Sequence, residues 1–215
     1  MGLMTYRVSM LPPGRDHRHV LVWQFDEPVR ALSSASVGGG FSTPAWLLNI
    51  GVPHDYSRID LDEHATAIAA GRGLSGSGIA MFTAVDVTRV EHACFEGASV
   101  SATVGVTKPT WAADPEAGHG SWPGTINVVA SVPVALEPAA MVQALLAMTE
   151  AKTQALLEAQ VPGTGTASDA ISLLCSTAGP AHRFGGVRSS WGHRLAMATH
   201  AAVLQGLVAH PGRAR

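Results

Sequence analysis

Cysteine is nearly absent from this chain. Cys94 and Cys175 are its two, and they show no CxxC spacing. A disulfide framework and a cysteine-built zinc site are thereby excluded. A reducing, cytoplasmic compartment is the simplest reading of that scarcity. Charge is scarce as well: charged residues make up 14% of the chain and the formal net charge is −2. No cationic field exists to hold nucleic acid or to draw the chain onto an anionic membrane surface. No run approaches the ~18 apolar residues of a membrane span. The N-terminal MGLMTYRVSMLPPGRDHR lacks the order of a signal peptide. The histidines are mostly isolated: His17 and His19 flank Arg18, and His54 adjoins Asp55. Neither pair matches zinc-ligand spacing, so no metal held by the protein is expected.

Apolar residues are abundant, at 47% of 215 residues, enough to bury a large core. Domains commonly run ~100–200 residues, and no linker or repeat divides the chain. One domain over residues 3–208 is expected.

Residues 5–10 and 19–25 read as strands around the turn signal Pro12-Pro13-Gly14, hence a hairpin. Val29 to Ser34 and Trp46 to Val52 continue the strands. Asp60 to Ala70 reads as a helix, with Leu61, Ala65 and Ile68 on one face. Strand-like runs follow at 79–85, 87–95 and 98–106, supported by their β-branched content. Residues 107–124 form a long loop rich in Pro, Gly and Trp. TINVVASVP (125–133) is a strand, and 137–160 is a helix with Pro138 in its first turn. A buried-type strand at 169–175 and an alanine-rich helix at 189–208 complete the order. Grouped strands with helices after them predict an α+β domain with a mostly antiparallel sheet and packed helices. Residues 125–175 alone read as a βαβ unit.

The triplet Gly38, Gly39 and Gly40 follows a strand and the small residues Ser33 to Val37. Glycine admits positive φ and lets a ligand approach the backbone. The triplet lacks both the GK[ST] ending of a phosphate loop and the register of a dinucleotide fingerprint.

Several blocks carry a resemblance. ALSSASVGGGF (31–41), AMFTAVDV (80–87), SATVGVT (101–107), GTINVV (124–129), TEAKTQALLE (149–158) and GTGTASDAI (163–171) occur in this order. Together they resemble the adenosylcobinamide amidohydrolases, and GGVRSSWGHRLA (185–196) is similar to that family's last loop and helix. The resemblance covers most of residues 29–206. It departs from the family pattern at Gly38, where Asn is usual, near Arg188, where a His is usual, and at Ser168, in place of Thr.

The resemblance implies hydrolysis of the amide joining aminopropanol to the corrin ring of adenosylcobinamide. The product, adenosylcobyric acid, would serve cobalamin salvage. The corrinoid small molecule would be the partner, its cobalt belonging to the substrate; no separate cofactor is implied, and a homo-oligomer is possible.

Amide hydrolysis needs a nucleophile, donors for the developing oxyanion and an acid for the leaving amine. The hydroxyl candidates are Ser33, Ser34, Thr83, Thr125 and Thr166, each of which is individually more often a cap or turn bond. Ser33 and Ser34 stand out beside three glycines whose N–H groups can form an anion nest. Asn127, inside an apolar run, either donates to an oxyanion or ties two strands together. Asp169 follows a Gly/Thr turn and is the best carboxylate, as a base, as a group that orients one, or as a turn cap. The resemblance draws Glu150, Lys152 and Arg188 toward the site. Trp111 and Trp122 either stack on a flat macrocycle or pack the long loop onto the core. Two alternatives stay open: a corrinoid-binding protein without turnover, and an amidohydrolase acting on another amide.

Overall fold

The computed structural model describes residues 6–115 and 124–209. In chain order its strands are β1 (Tyr6–Leu11), β2 (Val20–Phe25), β3 (Val29–Ser33), β4 (Gly40–Ser42), β5 (Trp46–Gly51), β6 (Gly78–Thr83), β7 (Glu91–Phe95), β8 (Ala98–Gly105), β9 (Thr125–Val132) and β10 (Ala170–Ser176). Its helices are α1 (Leu61–Ala70), α2 (Pro138–Glu158) and α3 (Ser190–Ala209).

The Pro12-Pro13-Gly14 turn closes the expected hairpin, with Leu11 opposite Val20. The strands form two sheets, ordered β1-β2-β5-β6 and β4-β3-β10-β9-β8-β7. Most pairings are antiparallel, as the strand-rich pattern predicts. The β9-α2-β10 crossover joins two parallel strands in register, Asn127 beside Ala170. It has an unexpected counterpart: β5 and β6 are also parallel, with α1 between them.

Strand parity builds the layers. Alternate side chains point to opposite faces of a sheet. Val20, Val22, Trp46, Leu48 and Ile50 meet Ala65, Ile68 and Ala69 of α1. Leu21, Trp23, Leu47, Ile79 and Met81 turn the other way and pack on Val29, Ala31, Val129, Ala170 and Leu174 of the second sheet. The far face of that sheet, including Ile126, Val128, Ala130 and Leu173, is covered by α2 and α3. The order is α1, sheet, sheet, α2 with α3, in one α+β body. Strands β5 and β9 lie inside their sheets with both faces covered, so every residue of each is buried.

Two local readings are corrected. Residues 87–89 wind into a 3-10 turn instead of opening a strand, because the Asp86 side chain accepts from the Thr88 N–H at 3.0 Å. The strand begins at Glu91. Strand β4, three residues pairing Gly40 with Ser33, was not expected.

Candidate functional site

The polar candidates gather where β9 and β10 begin and where β3 and β8 end. Ser33 lies opposite Ser172, and their hydroxyls are 2.7 Å apart. Ser34 Oγ accepts from the Ile171 N–H at 3.0 Å, on an exposed residue. Thr125 Oγ1 and Ser168 Oγ are 2.9 Å apart. Sheet-to-sheet bonds bring β5 and β6 to the same place. Asn49 Nδ2 donates to Thr103 Oγ1 at 3.0 Å, and Asn127 Nδ2 donates to Asn49 Oδ1 at 2.9 Å. Asn127 Nδ2 also reaches the Phe82 carbonyl at 3.4 Å, one residue before Thr83. Thr83 Oγ1 itself accepts from the Val85 N–H.

Asp169 organises the loop before β10. Its Oδ1 accepts from the Ile126 N–H at 2.8 Å and from the Thr166 hydroxyl; its Oδ2 accepts from the Thr166 N–H at 3.1 Å and from Lys152 Nζ. Lys152 and Asp169 form a buried ion pair, their side chains 8% and 11% exposed. A buried charge persists when it is paired and hydrogen-bonded, and here four donors meet one carboxylate. A Cβ at Gly165 would fall 2.5 Å from Asp169 Oδ2 and 2.6 Å from Lys152 Nζ, so a side chain here would have to displace the ion pair. Thr110 bridges to Gly165 and fastens the described start of the long loop to the same turn.

Asn127 is 1% exposed, and its two amide protons are both engaged, while its Oδ1 has no partner among the described residues. The free atom is therefore an acceptor, and a donor role toward an oxyanion requires an existing bond to break. Its tying of two strands is direct, and it ties two sheets as well. Asn49 and Thr103 complete that network and were not singled out from sequence. The signal was present: Asn49 interrupts the apolar run WLLNIG as Asn127 interrupts TINVV.

The glycine triplet serves close packing. Gly38 has φ +67, and a Cβ there would lie 2.1 Å from the Gly78 carbonyl oxygen. A Cβ at Gly39 would lie 2.5 Å from the Ala35 carbonyl oxygen, whereas Gly40, at φ +84, faces open space. The departure at Gly38 thus has a steric reason in this chain: the loop bridges Val37 to Ala80 on β6 with no room for a side chain.

Two candidates stand apart from this group. Glu150 is exposed, and at ~100° per residue it points well away from Lys152 two positions on. Arg188 lies in the loop that follows the other end of β10, near the Gly97 turn that precedes β8; Trp191 approaches that turn to 3.6 Å of a Gly97 Cβ. Trp111 is 46% exposed. Trp122 lies outside the described residues.

Behind Phe82, His64 of α1 stacks with Tyr56, lies tilted against the Phe82 ring and is 2% exposed. Its Nδ1 lies 2.7 Å from the Tyr56 hydroxyl, and its Nε2 has no partner among the described residues. Burial, aided by the Arg58 charge, pushes the imidazole below its ordinary value.

Among the described residues no three of His, Cys, Asp and Glu gather as a metal site, and no helix is long and apolar enough to cross a membrane.

The fold and this network define a layered α+β domain whose buried ion pair and hydroxyls collect at the strand ends, an arrangement suited to a hydrolytic site. A model of the adenosylcobinamide amidohydrolase family matches residues 8–215. The chain belongs to that family. A relative from Halobacterium salinarum named adenosylcobinamide amidohydrolase is 29% identical over 161 residues, 71% of this chain and 69% of that protein. Among solved structures, the PH0078 protein from Pyrococcus horikoshii OT3 aligns with a TM-score of 0.47 at 11% identity, over 94% of this chain and 83% of that one.

Proposed function

We propose that this chain hydrolyses the amide that joins aminopropanol to the corrin ring of adenosylcobinamide. Water adds to the carbonyl, the C–N bond breaks, and the amine leaves with a proton. The products are adenosylcobyric acid and aminopropanol, which places the reaction in cobalamin salvage. Membership of the family across residues 8–215 carries this reading. The strand-end network supports it, because it sets a carboxylate, an ammonium and hydroxyls together in a pre-organised, largely buried setting.

In this reading Asp169 orients its neighbours. It fixes the Lys152 ammonium and the Thr166 hydroxyl through direct bonds. Ser34, exposed beside Ile171, offers the accessible hydroxyl, with Ser33 and Thr125 holding the strand ends around it. Asn127 ties the two sheets together below, and the Thr83 hydroxyl caps the turn that follows β6. Cobalt enters with the corrinoid, and no step uses an ion held by the protein.

The test is incubation of the purified protein with adenosylcobinamide and detection of adenosylcobyric acid by mass. Tight corrinoid binding with no product would replace this reading with that of a corrinoid-binding protein. Hydrolysis of other amides but not this one would move the substrate class.

A further inference from the structure

At the far end of the sandwich from Asp169 lie two adjoining concavities of about 410 and 400 Å³. Both are lined by Arg188, Ser189 and Ser190; one adds His182, Arg183 and Phe184, the other Glu96, Val187, His193 and Arg194. We propose that this two-lobed depression binds an organic phosphate, with the phosphate on the arginines and an apolar part of the ligand on Phe184.

The charge count favours an anion. Arg194 is met by Glu96 at 3.1 Å, and Arg183 only touches Glu137 at 4.0 Å. Arg188, shared by both lobes, makes no hydrogen bond or ion pair with any described residue. An excess of cation is thus left facing the depression, in a chain whose net charge is −2. Guanidinium forks match phosphate oxygens bidentately, and several forks around one concavity suit a multivalent phosphate better than a single carboxylate.

An exposed arginine on a mobile loop is ordinarily just solvated, but this backbone is fixed. His182 donates to the Ala135 carbonyl at 2.8 Å and accepts from the Glu137 N–H at 2.9 Å. Gly185 donates to Gln143 Oε1 at 2.9 Å. A Cβ at Gly185 would sit 1.9 Å from the Ala140 carbonyl oxygen, and one at Gly192 would sit 2.0 Å from the Gly185 carbonyl oxygen. The loop is locked against α2 and α3, so a ligand need not order it. On that locked loop Phe184 is 68% exposed and Val187 46% exposed. Apolar surface held beside the unpaired Arg188 and the loosely met Arg183 suits a ligand that carries both an anionic and an apolar part.

The proposal is independent of the amidohydrolase reading, since binding is measured without any corrinoid. Calorimetric titrations of the full chain at low salt use phenyl phosphate, inorganic phosphate and phenol. Saturable binding of phenyl phosphate is expected, tighter than inorganic phosphate, with phenol not binding. Arg188→Gln should weaken phenyl phosphate about tenfold or more, the scale of one lost charge-assisted hydrogen bond. Phe184→Ala should remove the advantage of phenyl phosphate over inorganic phosphate and leave the latter unchanged. Both positions are exposed, so thermal melts of the variants should match wild type. Absence of saturable binding, or Arg188→Gln binding as wild type does, overturns the proposal.

Discussion

Where β9 and β10 begin, polar side chains are sunk into the fold and bonded to one another: Asn49 to Thr103 and Asn127 and Ser33 to Ser172 between the sheets, and Asp169 to Lys152 on the α2 side. At the opposite end, Arg183, Arg188 and Phe184 stand exposed on a loop whose order comes from glycines packed on carbonyl oxygens. The first end is held by partners that satisfy its polar groups; the second is held largely by its backbone, which leaves Arg188 without an ion pair to any described residue and Arg183 with only a 4.0 Å approach to Glu137. Order by mutual hydrogen bonding suits a group that must stay in one geometry. Order by close backbone packing suits a surface that presents side chains outward.

That contrast is open to experiment, and the largest effect belongs to the buried pair. Lys152→Met should cost about 3 kcal/mol in urea unfolding, near the low end for stranding one partner of a buried pair, because Asp169 keeps three other donors. A loss within the range of a surface pair, below about 1 kcal/mol, would mean the pair is solvated.

Asn49→Leu should cost roughly 1–3 kcal/mol, since Asn127 and Thr103 lose a buried partner. If Asn49→Leu is neutral, the sheets are held by apolar packing alone.

At the other end, Gly192→Ala should cost about 1–3 kcal/mol through steric overlap with the Gly185 and Gly186 carbonyls. It should do so without altering protease resistance of the 163–169 turn. Equal loosening of both ends would dissolve the distinction between them.

The smallest effect is a pH dependence. His64 is held neutral by burial, so its pKa is lower folded than unfolded. The unfolded chain then binds more protons, and stability contributed by neutral His64 is present above the unfolded value near 6.5. It declines as pH falls below that point toward the folded value. The melting temperature of wild type should therefore drop more steeply between about pH 7 and pH 5 than that of His64→Leu. Parallel curves would show that His64 is not buried neutral.

The sequence made some of these features legible and concealed others for physical reasons. TINVVASV and the helix after Pro138 announce themselves by period and length, and the parallel pairing of β9 with β10 follows. The second crossover is hidden because α1 has ten residues and its strands carry no mark of their partners. Strand β4 is too short to show alternation. The Asp86 cap that turns 87–89 into a 3-10 turn competes with β propensity at Val87 and Thr88. For the candidate site, Ser33, Ser34, Thr83, Thr125, Asn127, Thr166 and Asp169 were visible as small polar residues at strand ends, in turns or inside apolar runs, and Lys152 on its helix was drawn in by the resemblance alone. Helical phase turns Glu150 away from Lys152, and the run of β10 carries the loop that holds Arg188 to the opposite end. Motif order along the chain holds no information about which end of a strand a loop leaves from.

The central claim is that the Asp169 end performs the amide hydrolysis. Its most direct test is single-turnover formation of adenosylcobyric acid from adenosylcobinamide by wild type and Asp169→Asn, each corrected for the folded fraction from its own thermal melt. An amide at this position must turn its NH2 toward two of the four donors now facing the carboxylate, so some stability is lost as well. The expected result is product from wild type and a fall of about 10²–10⁴-fold per folded molecule in the variant, the range lost when acid–base machinery is disabled. Equal turnover per folded molecule in the two proteins would contradict the claim and leave Asp169 a structural clamp.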